Sequence, residues 1–330
     1  MAKKQKKDRK DKSEKKDKSE KKEKTRRRRG RFASEPVAPP EPSPPPRPGP
    51  DPDVDLSALL AVGPPLTLAD VDPDATPGFD GGDEQAGRAA AAAMGEEISQ
   101  LQEMVFAQSR AGGNRRLLLV LEGMDTSGKG AVLRRVAARM DPRGLAVTAS
   151  TAPTVGEREH DVLGRMQRAL PAPGFVGLFD RSHYQDVVVG RVQRLADDAE
   201  LDRRHEAIND VERRLLDAGC VLVKCILHIS RDEQRQRLLD RLADPTKHWT
   251  YDPGDVAERA RWDDYQRAYQ TVLERNSTAA APFHVVPANV GWYRDWAVAR
   301  LLLEHLRAMD LRWPSVDFNV HAEMARVQAS

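Results

Sequence analysis

The stretch LEGMDTSGKG, residues 121 to 130, sets Gly123, Gly128 and Lys129 at the spacing of a phosphate-binding loop, G-x-x-x-x-G-K. The glycines let backbone N–H groups approach an anion closely, and the lysine supplies a point charge that reaches a bridging or terminal phosphate oxygen. Ser127 and Gly130 complete the set expected to line the phosphates. Two features depart from the usual loop. Gly130 stands where Ser or Thr normally holds a magnesium ion, and a carboxylate, Asp125, lies inside the loop.

A second stretch, GFVGLFDRSHYQDVVVGRV, ends an apolar run at Asp180, followed at once by Arg181. A carboxylate at the carboxyl end of a parallel strand faces the side of the sheet where ligands bind, so Asp180 is a candidate ligand for a hard cation, with helix N-cap as its alternative. The third stretch, SRDEQRQRLLDRLADPTKHW, places Arg237 and Arg241 four residues apart on one helix face. Such guanidinium groups can clamp phosphates from a mobile lid, or simply form a solvated, salt-bridged face. His183 is assigned a packing or hydrogen-bonding role, because transfer between phosphate oxygens needs no general base. Trp249, Trp262, Trp292 and Trp296 read as core or lid-hinge residues.

These side chains need a scaffold that converges on one edge. RRLLLVLEG is a strand entering the glycine loop and GAVLRRVAARM a helix leaving it, which is the context the motif demands. AVTAST, GFVGLFD, VLVKCILHIS and PFHVVP read as further strands. Helical text lies around residues 84–110, 157–169, 186–219, 231–243, 255–275 and 292–309. Apolar strands alternating with helices predict a parallel sheet covered on both faces. Cys220 and Cys225 lie in one strand an odd number of residues apart, on opposite faces, and are expected to stay unpaired in the core.

With these residues assembled, the chain resembles the polyphosphate kinase 2 family. GMDTSGKG looks like the family's phosphate loop and APTVGERE is similar to its P-T-x-x-E segment. LPAPGFVGLFDRSHYQDVVVGRV resembles its second acidic motif, and LVKCILHISRDEQRQRLLDRLADPTKHW its strand and lid. WDDYQRAY, NSTAAAPFHVVPAN and WYRDWAV follow in family order. Departures are Ala152 before P-T, Thr250 after the lid tryptophan and Phe283 in A-P-F; Gly130 after the loop lysine resembles the family's diphosphate-using branch, where the branch using AMP as well as ADP often has Asp.

The resemblance implies a three-layer α/β/α phosphate-loop kinase with a helical lid. It implies reversible, magnesium-dependent transfer, with manganese as the substitute ion, between inorganic polyphosphate and a nucleoside mono- or diphosphate of the AMP/ADP type. Catalysis is expected from Asp125, Lys129, Asp180 and Arg181, with Asp125 and Asp180 holding the metal. Phosphates are expected at Gly123, Ser127, Gly128, Gly130, Arg191, Arg237 and Arg241. An ATP-dependent thymidylate or nucleoside kinase shares the fold but would carry Ser or Thr after Lys129. A homo-oligomer is expected.

Composition divides the 330 residues unevenly. Residues 1–33 form a basic tail expected to be disordered, 34–69 a proline-rich linker, 70–320 the polyphosphate kinase 2-like catalytic domain with its lid at about 235–256, and 321–330 a C-terminal tail. The first 32 residues hold 18 Lys and Arg against 6 Asp and Glu, too polar to pack. Nucleic acid is a conceivable partner through this tail alone, and clustered charge could equally gather polyphosphate. No run of about 20 apolar residues spans a membrane and no secretion signal is evident, so a soluble, cytoplasmic protein is expected.

Overall fold

The computed structural model describes residues 49–62, 67–149 and 168–330. The basic tail, the P-T-x-x-E segment and most of the helix expected at 157–169 lie outside the described residues.

Six strands form one sheet: β1 (Ala61–Val62), β2 (Arg116–Glu122), β3 (Leu145–Ala149), β4 (Val176–Asp180), β5 (Cys220–His228) and β6 (Phe283–Pro287), in the spatial order β1-β6-β5-β2-β4-β3. Every pair is parallel except β1 with β6. The central strand β2 is Arg-Leu-Leu-Leu-Val-Leu-Glu, an apolar run rather than an alternating one, because helices cover both of its faces and Leu117 to Leu121 are all fully buried.

One covering layer holds α2 (Glu84–Ala93), α3 (Gly95–Arg110), α4 (Lys129–Ala137) and α10 (Gly291–Ala308), the last packing on the other three. The opposite layer holds α5 (Gln185–Val192), α6 (Asp198–Asp217) and α9 (Trp262–Asn276). The segment expected as a lid, about 235–256, falls on α7 (Arg231–Ala243), a 3₁₀ segment at Pro245–Thr250 and the start of α8 (Gly254–Ala260). Three expected helices are broken in two, and the break at 192–198 shows why. Arg194 takes a left-handed φ of 56° and the Leu195 N–H donates to Gly190 O, closing α5 as a Schellman turn; Asp197 then caps α6 through the Glu200 N–H.

The expected proline-rich linker is partly wrong. Within it LSALLAV is free of proline, and it folds as α1 (Leu56–Leu60) followed by β1, burying Leu56, Leu60 and Val62. Glu304 of α10 accepts the Leu56 and Ser57 N–H groups at 3.3 and 2.9 Å, and β1 pairs with β6. The C-terminal residues form an exposed helix, α11 (Val320–Gln328). Cys220 and Cys225 are buried and unpaired. Trp262 and Trp296 are buried as expected, whereas Trp249, in the lid, is 84 % exposed.

Candidate active site

Strand β2 lies between β4 and β5, so its carboxyl end delivers the loop to the centre of the sheet edge. Gly123 and Gly128 have φ of 134° and 102°, and a Cβ on Gly128 would overlap the Arg294 guanidinium. Lys129 opens α4 with its side chain almost wholly buried; Nζ donates to Gly123 O at 2.7 Å and Met124 O at 3.1 Å. Burial pushes its pKa below the ordinary lysine value, while the Asp125 carboxylate opposes that.

Register sets Asp180 opposite Leu121, one residue short of the end of β2, so the second acidic motif arrives beside the loop. The Arg181 N–H donates to Leu121 O, its φ is 61°, and its guanidinium pairs with the Asp125 carboxylate. Burial works against ionisation of Asp125, but Lys129, a hydrogen bond from Glu258 and Arg181 outweigh it and hold the pKa at about 2. Burial likewise opposes the Arg181 charge, and Asp125 more than restores it. Asp180 borders Gly130, where an added Cβ would lie 3.9 Å from Asp180 Oδ2.

The structure brings the expected loop residues, Asp180 and Arg181 together, but uses the lid arginines differently. Arg237 donates from Nε to Glu233 (2.7 Å), from Nη1 to Thr126 O (2.9 Å) and from Nη2 to Ala288 O and Asn289 O (2.7 and 2.9 Å). All its nitrogens are engaged, so here it braces the loop instead of offering a free clamp. Arg241 donates to Thr250 O at 3.0 Å and lies 3.4 Å from Asp255. Arg191 pairs loosely with exposed Asp198 and lines a cavity of about 290 Å³ with Arg194, Arg261, Asp264, Arg267 and Thr271.

Several residues that sequence reasoning passed over belong to the same centre. Glu122, fully buried beneath the loop, accepts from Ser182 Oγ at 2.8 Å and Gln185 Nε2 at 2.6 Å; burial raises its pKa despite both bonds. Glu258 of α8 is pushed up to about 8 by burial and by the Asp125 carboxylate it hydrogen-bonds. Asp255, one turn earlier, is raised to about 6 by burial and the Asp125 charge. Tyr265 hydrogen-bonds both Glu258 and Gln193. For Asp255, Glu258 and Tyr265 the available signal was their position in DVAERARWDDY, and for Glu122 its place next to Gly123 of the loop. His183 is buried against the Tyr184 ring, 3.5 Å from Glu212, which fits a packing role.

A glycine loop opening a helix at the carboxyl edge of a parallel sheet, with lysine, arginine and carboxylates converging on it, defines a phosphate-loop phosphotransferase of the three-layer α/β/α kinase type. The family model for polyphosphate kinase 2 matches residues 82–314. An AMP/ADP-polyphosphate phosphotransferase of Meiothermus ruber is 40 % identical over 243 residues, covering 74 % of this chain and 89 % of that protein. An ADP-polyphosphate phosphotransferase of Rhodopseudomonas palustris is 32 % identical, with 66 % and 78 % covered. The crystal structure of polyphosphate kinase 2 from Arthrobacter aurescens TC1 superposes with a TM-score of 0.81 at 50 % identity, covering 83 % of this chain and 97 % of that one. The chain belongs to the polyphosphate kinase 2 family. Among the described residues, no helix is long and apolar enough to cross a membrane.

Proposed function

We propose that this enzyme transfers a terminal phosphoryl group between inorganic polyphosphate and a nucleoside mono- or diphosphate of the AMP/ADP type, with magnesium, or manganese in its place, at Asp125 and Asp180. The observation that carries the reading is the Asp125–Arg181 pair within a phosphate loop that has no hydroxyl after its lysine. A loop of this kind has moved its cation ligand from the helix start to the loop interior. The names of the relatives supply the substrate class.

The donor set suits a hard cation. Two carboxylates completed by phosphate oxygens are what magnesium usually takes, and the Thr126 hydroxyl, next to Asp125 in the chain, is buried without a protein partner. When bound at Asp125 and Asp180, the ion would offset phosphate charge as a Lewis acid. Lys129 and the loop amides hold the phosphates at the transfer point, and Arg181 neutralises charge as it develops. The acceptor oxygen is already ionised, so no side chain removes a proton. That oxygen attacks the terminal phosphorus while the anhydride bond to the shortened chain breaks. One phosphoanhydride replaces another, so the reaction runs in both directions.

The rest of the polyanion would run along the cavity of Arg191, Arg194, Arg261 and Arg267, where four guanidiniums face one carboxylate, Asp264. ADP or AMP incubated with polyphosphate and magnesium, without ATP, should yield a newly phosphorylated nucleotide. No product would refute the proposal; product only with ATP and a nucleoside monophosphate would assign an ATP-dependent kinase.

A further inference from the structure

Five consecutive carbonyl oxygens of the phosphate loop each accept a side-chain donor. Lys129 serves Gly123 and Met124, Gln234 Nε2 reaches Asp125 O at 3.2 Å, Arg237 Nη1 reaches Thr126 O at 2.9 Å, and Arg294 Nη1 reaches Ser127 O at 3.4 Å. The peptide unit is planar and trans, so a C=O held on one side turns the following N–H to the other. Pinning carbonyls 123–127 therefore directs the N–H groups of residues 124–126 and 128 to the opposite side of the loop, where amides gathered in a concave turn bind anions, while the Ser127 N–H donates within the loop to Met124 O at 3.1 Å.

The three donors from outside the loop are themselves fixed. Gln234 is fully buried, and its Oε1 accepts from Arg259 at 3.3 Å. Arg237 is held by Glu233 and by two carbonyls after β6. Arg294, 6 % exposed, grips Asp295 Oδ1 through Nε and Nη2 at 3.0 and 2.8 Å. Thr126, whose carbonyl Arg237 holds, is a non-glycine residue at φ 65°, a conformation that costs energy and persists only when its surroundings impose it. Lys129 differs from the other donors: once it turns to a phosphate, Gly123 and Met124 lose it, whereas the other three carbonyls keep their partners.

We propose that Gln234, Arg237 and Arg294 are positioning residues that hold the phosphate loop by its carbonyl edge, so that its amides converge on phosphate while none of the three touches substrate. Gln234 and Arg237 sit on the lid helix α7 and Arg294 on α10. Lid placement and amide orientation are thereby one mechanical unit. The inference depends on the loop binding phosphate, and not on which phosphate donor the enzyme uses.

The test is the affinity for pyrophosphate, measured by calorimetry at several salt concentrations, in the parent and in Gln234→Leu, Arg237→Met and Arg294→Met. Gln234→Leu changes no charge, so it isolates hydrogen bonding from attraction. Each variant is expected to bind about tenfold more weakly, the worth of one hydrogen bond to a buried carbonyl. The salt dependence should stay parallel to the parent's, because no contact with the anion is lost. Thr126→Gly, which relieves the backbone conformation, should reduce the effect of Arg237→Met when the two are combined. Unchanged affinity in Gln234→Leu, a flattened salt dependence in the arginine variants, or additivity with Thr126→Gly would overturn the proposal. So would a parent that does not bind pyrophosphate. Transfer from polyphosphate, assayed on the same samples, reports separately on the substrate assignment.

Discussion

Glu258, on α8, hydrogen-bonds the carboxylate of Asp125 inside the phosphate loop, and burial together with that charge raises its pKa to about 8. The contact ties α8 to the loop. It also gives the fold a signature in pH.

The ordinary carboxyl value for Glu258 is 4.5, and the fold raises it to about 8. Between these values the folded chain keeps a proton that the unfolded chain has released. The stability drawn from it is complete below the unfolded pKa and is lost as pH rises through about 8. Asp125 has the opposite sign: held at about 2, its contribution is present above its ordinary 3.8 and is lost as pH falls through about 2. Glu258→Gln keeps a donor toward Asp125 but cannot titrate. Thermal unfolding followed from about pH 5 to about pH 9 should decline less steeply in this variant than in the parent; equal slopes would remove Glu258 from the account.

Asp125→Asn should cut turnover by at least ~10²-fold, as loss of a preorganised charged group at a transfer site does, while the circular dichroism spectrum is unchanged. Gly130→Ser is the complementary change. A Cβ there meets only Arg134 Nη1 at 3.7 Å and Asp180 Oδ2 at 3.9 Å, ordinary contacts. Its stability should lie within about 0.5 kcal/mol of the parent and its transfer rate should not rise. A marked gain in rate would mean that the loop lacks the hydroxyl it needs.

The arginine-lined cavity gives a prediction in substrate length. Arg194→Ala combined with Arg267→Ala should raise KM for long polyphosphate with kcat retained. The slope of log KM against log salt should fall by about 0.7 for each arginine that met a phosphate. Steady-state kinetics across salt, with short and long chains, measure both; an unaltered KM for long chains would place the polyanion elsewhere.

In the core, Lys224 of β5 lies fully buried, with Nζ on Glu212 at 2.7 Å and on Asn276 O at 2.8 Å, and over the Phe283 ring at 4.6 Å. Lys224→Met leaves the buried Glu212 carboxylate without its cation. Urea unfolding should register a loss of about 3–5 kcal/mol, part of which returns when Glu212→Leu is added.

The loop, the strand leading into it and the Asp180–Arg181 corner were legible in the sequence because each is local. A glycine spacing, an apolar run and a charged residue at its end are all written within about ten residues, and backbone geometry converts them directly into a strand, a turn and a helix start. The short element at Leu56–Val62 was hidden for the same reason in reverse. Prolines on both sides dominate the local text, and only the partners supplied by β6 and Glu304, more than two hundred residues away, make that stretch fold.

By itself, the sequence determined the family and the α/β/α architecture, and it singled out Asp125, Lys129, Asp180 and Arg181, which the fold brings to one sheet edge, since all of these follow from patterns along the chain. It left the work of the arginines open. Arg237 and Arg241 share a helix face, and that spacing serves a phosphate clamp, a solvated surface or a structural brace equally well. Tertiary structure decided among them by laying α7 across the back of the loop, where Thr126 O, Ala288 O and Asn289 O take every nitrogen that Glu233 does not. Glu258 gained its role in the same way, because its pKa and its partner come from burial against Asp125 rather than from its neighbours in the chain. A hydrogen bond is set by positions in space, and a motif fixes those positions only for residues close together in sequence.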